Sequence, residues 1–545
     1  MTERPGGVTG RASPCWGPLA LGDGQVRFRL WAPDREAVAL EIDGREPVAM
    51  TSAGDGWFAG EATAQAGARY RFRLAGDLVV PDPAARAQAG GVHGWSVVDD
   101  PTGHRWRTPD WSGRAWATMV ILEVHAGLLG GFAGVAERLA GWAALGITAI
   151  ELMPVNAFSG TRNWGYDGVL PFAPDESYGS PDDLRALVDR AHELGLSVFL
   201  DVVYNHFGPD GNMIGRYATG FFDEGVHTPW GSAVAVGKPP VHRFFAENAL
   251  MWLRDYRIDG LRLDAVHQLH DDDFLDALAG EVRTALPGRH VHLVLENENN
   301  DPARLAPRRF DAQWNDDFHS ALHVLLTGET HSYYTDFAEA PARRLARCLA
   351  EGFAYQGEGS RNHDGAPRGA PSGHLPPTRF MSFLQNHDQT GNRALGERLA
   401  GLVDADRLRA ATLLLLLCPQ IPLLFMGEEV GSRTPFLFFA DFHDALADQV
   451  RDGRRQEFAR QPGFDDEEAR ERIPDPNAVA TFERSRPEPG PDADGWRASY
   501  RELLAIRHAR IVPGLAGCIC AGAEVVGQRD HQRGLPPGVG ADHLT

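Results

Sequence analysis

Residues 180–206 read SPDDLRALVDRAHELGLSVFLDVVYNH, and this stretch decides the fold. Ser180 offers a hydroxyl to cap a helix, Pro181 suits the first helical position, and Asp182 and Asp183 place acid in the first turn. Gly195 is the stop signal, so a helix is expected over 180–194. The run 196–203 follows at once. It is continuously apolar and β-branched, apart from Ser197 and Asp201, as expected of a strand buried on both faces. A helix feeding directly into such a strand is half of a βαβ unit, the building block of a parallel sheet.

Working outward, the unit repeats. Further buried strands are expected over 147–152, 260–266, 291–295, 380–384 and 421–426. Helices are expected over 245–256, 272–286, 404–417 and 496–508. About eight such units close into an α/β (β/α)8 barrel, spanning residues 106–510. Upstream the period changes to two. Val26-Arg27-Phe28-Arg29-Leu30-Trp31 and Tyr70-Arg71-Phe72-Arg73-Leu74 alternate apolar and polar, with Asp-Gly turns between. Residues 1–105 therefore read as an N-terminal β-sandwich plus a linker at 81–94. The connection at about 206–243 is long and rich in Gly, Asn, His and Pro, which marks a functional loop subdomain. Residues 511–545 read as a truncated or atypical C-terminal tail without strand pattern.

Composition bounds the function. The 545 residues are 43% hydrophobic and 23% charged, enough to build a large core. With 53 basic and 74 acidic side chains the net charge is −21, which repels phosphates and anionic lipid but is indifferent to a neutral sugar. Nucleic acid and membrane partners are not expected. The five cysteines, Cys15, Cys348, Cys418, Cys518 and Cys520, form neither a disulfide framework nor a zinc spacing. Residues 1–10 lack the apolar core of a leader. A cytoplasmic protein without metal or cofactor is the expectation.

Barrel chemistry sits where strands end. The third strand runs into Asp201, Asn205 and His206. The fourth carries Arg262 and Asp264, the fifth leads into Glu296 and Glu298, and the seventh into Asn386, His387 and Asp388. Carboxylates converging with histidines and an arginine suit glycoside hydrolysis, which needs a nucleophile, an acid/base and negative charge near an oxocarbenium-like transition state. Glu428 and Glu429 read as rim structure, and His267 and His270 as loop residues.

These four segments, in this order and on these strands, resemble the conserved regions of the α-amylase family of glycoside hydrolases. The resemblance implies Asp264 as nucleophile, Glu296 as general acid/base and Asp388 as the third carboxylate gripping sugar hydroxyls. Arg262 would keep Asp264 ionised. His206 and His387 would hydrogen-bond the sugar in the −1 subsite, Tyr166 would form its platform, and Asp201 and Asn205 would brace the site. Residues 163–168, 295–300, 313–319, 383–389, 434–439 and 453–455 are similar to the trehalose-releasing branch of that family. That branch implies a trehalose-capped α-1,4-glucan as substrate and a capping synthase as pathway partner. Its members usually end in a further β-sandwich, for which residues 511–545 leave little room. The loops bearing Asn315, Asp316, Phe318 and residues 434–439 are candidates for selecting the trehalose end. Two other readings stand: a branching or debranching enzyme with the same triad, and a non-catalytic glycan-binding barrel, against which the full set of carboxylates argues.

Overall fold

The computed structural model describes residues 15–76 and 78–519. Eight parallel strands close into a barrel: β1 (Ile121–Val124), β2 (Ala149–Leu152), β3 (Ser197–Val202), β4 (Gly260–Leu263), β5 (His292–Leu295), β6 (Ala312–Trp314), β7 (Phe380–Ser382) and β8 (Ile421–Phe425). β1 and β8 pair in parallel and shut the ring. The helix ahead of β3 spans Pro181–Glu193. Its Ser180 hydroxyl accepts from Asp183 N while the Asp183 carboxylate accepts from Ser180 N, a reciprocal cap.

Alternation along these strands separates two environments. Ile121, Ala149, Phe199, Val294, Trp314, Met381 and Leu423 form a buried cluster inside the barrel. The intervening residues, such as Leu122, Ile150, Val198, Leu261 and Leu293, join the main core under the surrounding helices. A period of two carries the inward side chains from that apolar layer to Glu123, Glu151, Asp201 and Arg262 one step higher. The register agrees: Glu123 pairs with Glu151, and Asp201 with Arg262, on neighbouring strands. Apolar filling gives way to charge at the C-terminal face.

Several strands stop earlier than their apolar runs. β4 ends at Leu263 and β7 at Ser382, because the chain must turn to present side chains rather than continue pairing. β1 continues the buried apolar run Met119-Val120-Ile121-Leu122, and β6 has only three residues. The connection from β5 to β6 contains only a 3₁₀ turn, Pro302–Arg304, so one expected helix is absent. Its sixteen residues carry prolines and Asn/Asp turn formers, which suit caps and turns more than helix interior. The last helix, Ala493–Ile506, continues through a π-helical turn, Arg507–Ile511, into Val512–Ile519.

Upstream, two antiparallel sheets face each other. One contains Gln25–Trp31 and Trp57–Thr63, the other Val38–Ile42 and Arg69–Leu74. Phe28 and Tyr70 meet across them at 4.7 Å. The stretch 81–94, expected as a linker, instead supplies strand Ala87–Ala89, paired with Trp95–Val97. Trp16 ties this unit to the barrel: its ring lies 4.9 Å from Phe244, and its indole donates to Pro240 O at 3.1 Å.

Cys348 and Cys418 are buried free thiols, and Cys15 is a half-buried one. Among the described residues no helix is long and apolar enough to cross a membrane. The readings of residues 1–10, of the Cys518 and Cys520 side chains and of the tail from 520 onward lie outside the described residues.

Candidate active site

Arg262 organises the site from the centre of the barrel mouth. Nη1 donates to Asp201 Oδ2 at 2.7 Å and to Asp264 Oδ1 at 2.8 Å, and Nη2 donates to Glu296 Oε2 at 2.9 Å. The guanidinium is fully buried and lies 4.1 Å over the Trp314 ring. Carboxylates from β3, β4 and the end of β5 thus share one planar cation, a fork geometry that lysine cannot reproduce.

Ala265 completes the arrangement. Its φ of +40° lies in the left-handed region, where a residue with a Cβ is held only by its surroundings. This turn aims Ala265 N at Glu296 Oε2, 2.7 Å away. Strand periodicity says nothing of it, because the contact depends on where β4 stops.

Tyr166 is set in place by a tight turn at 163–167. Asn163 Oδ1 accepts from Gly165 N at 2.7 Å, and Asn163 Nδ2 donates to Asp167 at 2.7 Å. Gly165 has φ +104°, and a Cβ there would fall 2.1 Å from Pro154 O, so only glycine fits. Tyr166 then donates to Asp201 Oδ2 at 2.5 Å and stacks on His387 at 4.9 Å.

The two histidines are in opposite electrostatic situations. His206 Nε2 meets Tyr166 O at 3.0 Å and Nδ1 lies 3.1 Å from Asn205 Oδ1; burial lowers it to about 4, so it is neutral. His387 is as deeply buried, and burial works against its charge. Asp388 and Glu123 outweigh that and raise it well above the usual imidazole range. In return His387 holds Asp388 below its ordinary value, although burial alone would raise it.

Asp264 is pulled in both directions. Burial raises it well above an ordinary aspartate, and Glu296, Asp201 and Asp388 push the same way, while Arg262 opposes. Arg262 acts in the expected direction, toward the ionised form, against desolvation and the neighbouring carboxylates. One guanidinium is shared among several acids, which limits how far it offsets burial and their mutual repulsion. Glu151, 1% exposed and with neither carboxylate oxygen hydrogen-bonded, is raised by burial and by Glu123 and Asp201.

The site opens upward: the side chains of Asp264, Glu296 and Asp388 are 10%, 20% and 36% exposed. All nine residues named from the sequence lie in this one region. Sequence reasoning missed Glu123, Glu151, Ala265, Trp314 and Trp230. Trp230 belongs to a hairpin of Phe222–Thr228 and Gly231–Val234 and stacks on His206 at 4.1 Å while staying half exposed. A tryptophan within the long connection at 206–243 was the available signal.

The selectivity candidates divide. Asn315 caps its helix and donates to Gly352 O, and Phe318 is fully buried. Phe436 stacks under Trp164 at 5.2 Å, and Leu437 O accepts from the Trp164 indole. These residues pack. Asp316 differs: it accepts from Gln389 Nε2 at 3.0 Å, and burial, with Glu296 and Asp388 nearby, raises it to about 7. Glu428 and Glu429 are buried below the rim; Glu429 accepts from Gly427 N and the Trp142 indole.

A closed parallel barrel with acids gathered around a buried arginine at its C-terminal mouth defines a glycoside hydrolase of the α-amylase class. The family model for the alpha amylase catalytic domain matches residues 81–218. The chain is 43% identical to the malto-oligosyltrehalose trehalohydrolase of Deinococcus radiodurans over 90% of this chain and 82% of that protein. It is 38% identical to the one from Saccharolobus solfataricus, over 89% and 86%. A crystal structure from Salmonella typhimurium, assigned provisionally as an alpha amylase, superposes with a TM-score of 0.89 at 46% identity, covering 92% of this chain and 88% of that one. The chain belongs to the malto-oligosyltrehalose trehalohydrolase family.

Proposed function

We propose that the protein hydrolyses the α-1,4-glucosidic bond next to the terminal trehalose unit of a malto-oligosyltrehalose, with retention of configuration. The observation that carries this reading is the Arg262 fork, which sets the Asp264 and Glu296 carboxylates side by side on adjacent nitrogens. Retaining enzymes need their two carboxyls about 5 Å apart, too close for an intervening water.

Glu296 Oε2 is engaged by Arg262 and Ala265 N, which leaves Oε1 to carry the proton. Glu296 protonates the glycosidic oxygen as the bond to C1 breaks, and trehalose departs with that proton. Asp264 attacks C1 and forms a glycosyl ester. Water, giving its proton back to Glu296, then displaces Asp264 and frees the shortened glucan. Asp388 and His387 hold sugar hydroxyls during the ring distortion this requires, with Tyr166 beneath. The chemistry calls for no cofactor.

The triad alone does not choose the bond. The leaving-group side does, and the Asp316–Gln389 pair, near Glu296 and Asp388, is our candidate for lining it. Unpaired buried polar groups reject a wrong ligand by up to about 10⁴ in favourable sites. The family's place in metabolism supports a cytoplasmic location and a synthase that caps the glucan as pathway partner.

Product chromatography tests this reading. Maltotriosyl-trehalose should release free trehalose quickly, and maltopentaose of equal length should be cut far more slowly. Equal kcat/KM on the two would favour a general α-glucan hydrolase, and chain transfer without trehalose release would favour a branching enzyme.

A further inference from the structure

We propose that Glu123, at the top of β1, is a positioning residue that locks the His387 ring and keeps both of its nitrogens protonated, so that His387 acts on the sugar and on Asp388 as a fixed cation. The inference rests on the reading above, that the −1 sugar binds between Asp264 and Asp388.

The geometry is specific. A single carboxylate pins His387 at both ends: Oε2 accepts from the His387 backbone N at 3.0 Å, and Oε1 meets ring Nδ1 at 2.5 Å. Nε2 faces Asp388 Oδ1 at 3.3 Å. Each ring nitrogen therefore confronts a carboxylate oxygen, an acceptor, and two acceptors require two N–H donors. Tyr166 stacks on one face and the Trp164 ring meets the imidazole edge-on at 5.6 Å, so the ring has no second orientation. Glu123 itself is 1% exposed and lies beyond the sugar's reach, beneath the histidine.

Other charges face the same ring. Asp388 is on its own helix, Glu151 comes from β2, Asp201 from β3 and His125 from the end of β1, and Tyr166 adds its hydroxyl. Arg262 stands beyond Asp201 and Asp388. Burial lowers His125 to about 4, so it adds no charge. Neither Glu151 carboxylate oxygen is hydrogen-bonded to the ring, so Glu151 does not stand in for Glu123.

Glutamine at position 123 has one acceptor and one donor. Its carbonyl can take the backbone N–H while its amide donates to Nδ1, which keeps the ring in place but neutral. Removing the anion lowers the His387 pKa, and the charge is then lost as pH rises through that lower value. Glu123→Gln should cut kcat at neutral pH by about 10- to 100-fold, as loss of a partner that orients an imidazole does. KM should change less. The basic limb of the pH profile should move acidward by about 1–3 units. In a His387→Gln background, the same substitution should cost almost nothing further.

A merely structural role would lower activity without moving the limb and would add to the His387 variant; either result overturns the proposal. If the Glu123 variants do not fold, the wild-type protein decides. With ¹⁵N-imidazole histidine, the resonances missing in His387→Gln should report two protonated nitrogens at pH 7, and a neutral ring there overturns it. Should the wild type cleave another α-glucan and release no trehalose, the function reading fails while the same cycle on that glucan still tests Glu123.

Discussion

At the residue scale the site works by unequal sharing of few cations among many acids. Asp201, Asp264 and Glu296 divide one guanidinium, and Asp388 shares the His387 ring with Glu123. The consequence is a pH dependence. A nucleophile must be ionised, and Asp264 is raised by burial and by its neighbours, so activity falls as pH drops through that raised value. The acid limb of kcat/KM should therefore lie clearly above the ordinary aspartate value of about 4. A limb at or below 4 would contradict the assignment. Asp264→Asn and Glu296→Gln should each lower kcat by about 10⁴-fold or more with unchanged circular dichroism. Azide should partly rescue Asp264→Ala by attacking C1 in place of the carboxylate. Near-normal turnover in Asp264→Asn would show that a different group attacks.

At the element scale, loops from different barrel strands are fastened to one another rather than to the barrel alone. Arg368 lies in a short hairpin; Nη1 donates to Asp317 at 2.7 Å and Nε to Glu298 O at 2.9 Å. Asp317 in turn accepts from Ala354 N, Tyr355 N and Asn300 Nδ2. One buried ion pair thereby holds the segment after β5, which continues from Glu296, against the insert after β6. Arg368→Ala leaves the Asp317 carboxylate buried without its cation, a change that costs about 3–5 kcal/mol. A fall in melting temperature together with a lower kcat is expected. Unchanged kinetics in the variant would show that the loop after β5 keeps its place without this clamp.

At the scale of the whole molecule the N-terminal sandwich packs against the barrel through a tryptophan cluster. Trp16 packs against Trp31 and Trp57 of the sandwich and against Phe244 on the barrel, and the Glu247 carboxylate accepts from Cys15 N and Trp16 N. Trp16→Ala removes a fully buried indole and should cost about 3–5 kcal/mol, read as a lower unfolding midpoint. The kcat of the folded variant should stay within a few-fold. A large loss of kcat at full folding would tie the sandwich to catalysis. For the reaction as a whole, the Arg262 fork predicts retention: the new reducing end should appear first as the α-anomer in an NMR time course. Early β-anomer would mean inversion and would overturn the roles assigned to Asp264 and Glu296.

The sequence by itself determined the barrel and most of its mouth, since both depend on local patterns. Helix caps such as Ser180, apolar strand runs and the parity of inward positions are properties of short segments, and Asp201, Arg262 and Asp264 could be placed from them. Tertiary structure decided what depends on where a chain stops or what lies across the barrel. Ala265 matters because β4 ends at Leu263 and the backbone turns left-handed. Glu123 matters because closure brings β1 next to β8, close to His387, a residue 264 positions away. Whether Asp264 is ionised could not be read from its spacing to Arg262, because desolvation and three other acids enter the balance only once the barrel has closed. Asn315 and Phe318 shared a motif with Asp316, yet packing turned two of them inward and left Asp316 beside the carboxylates, a division set by helix geometry and not by residue type.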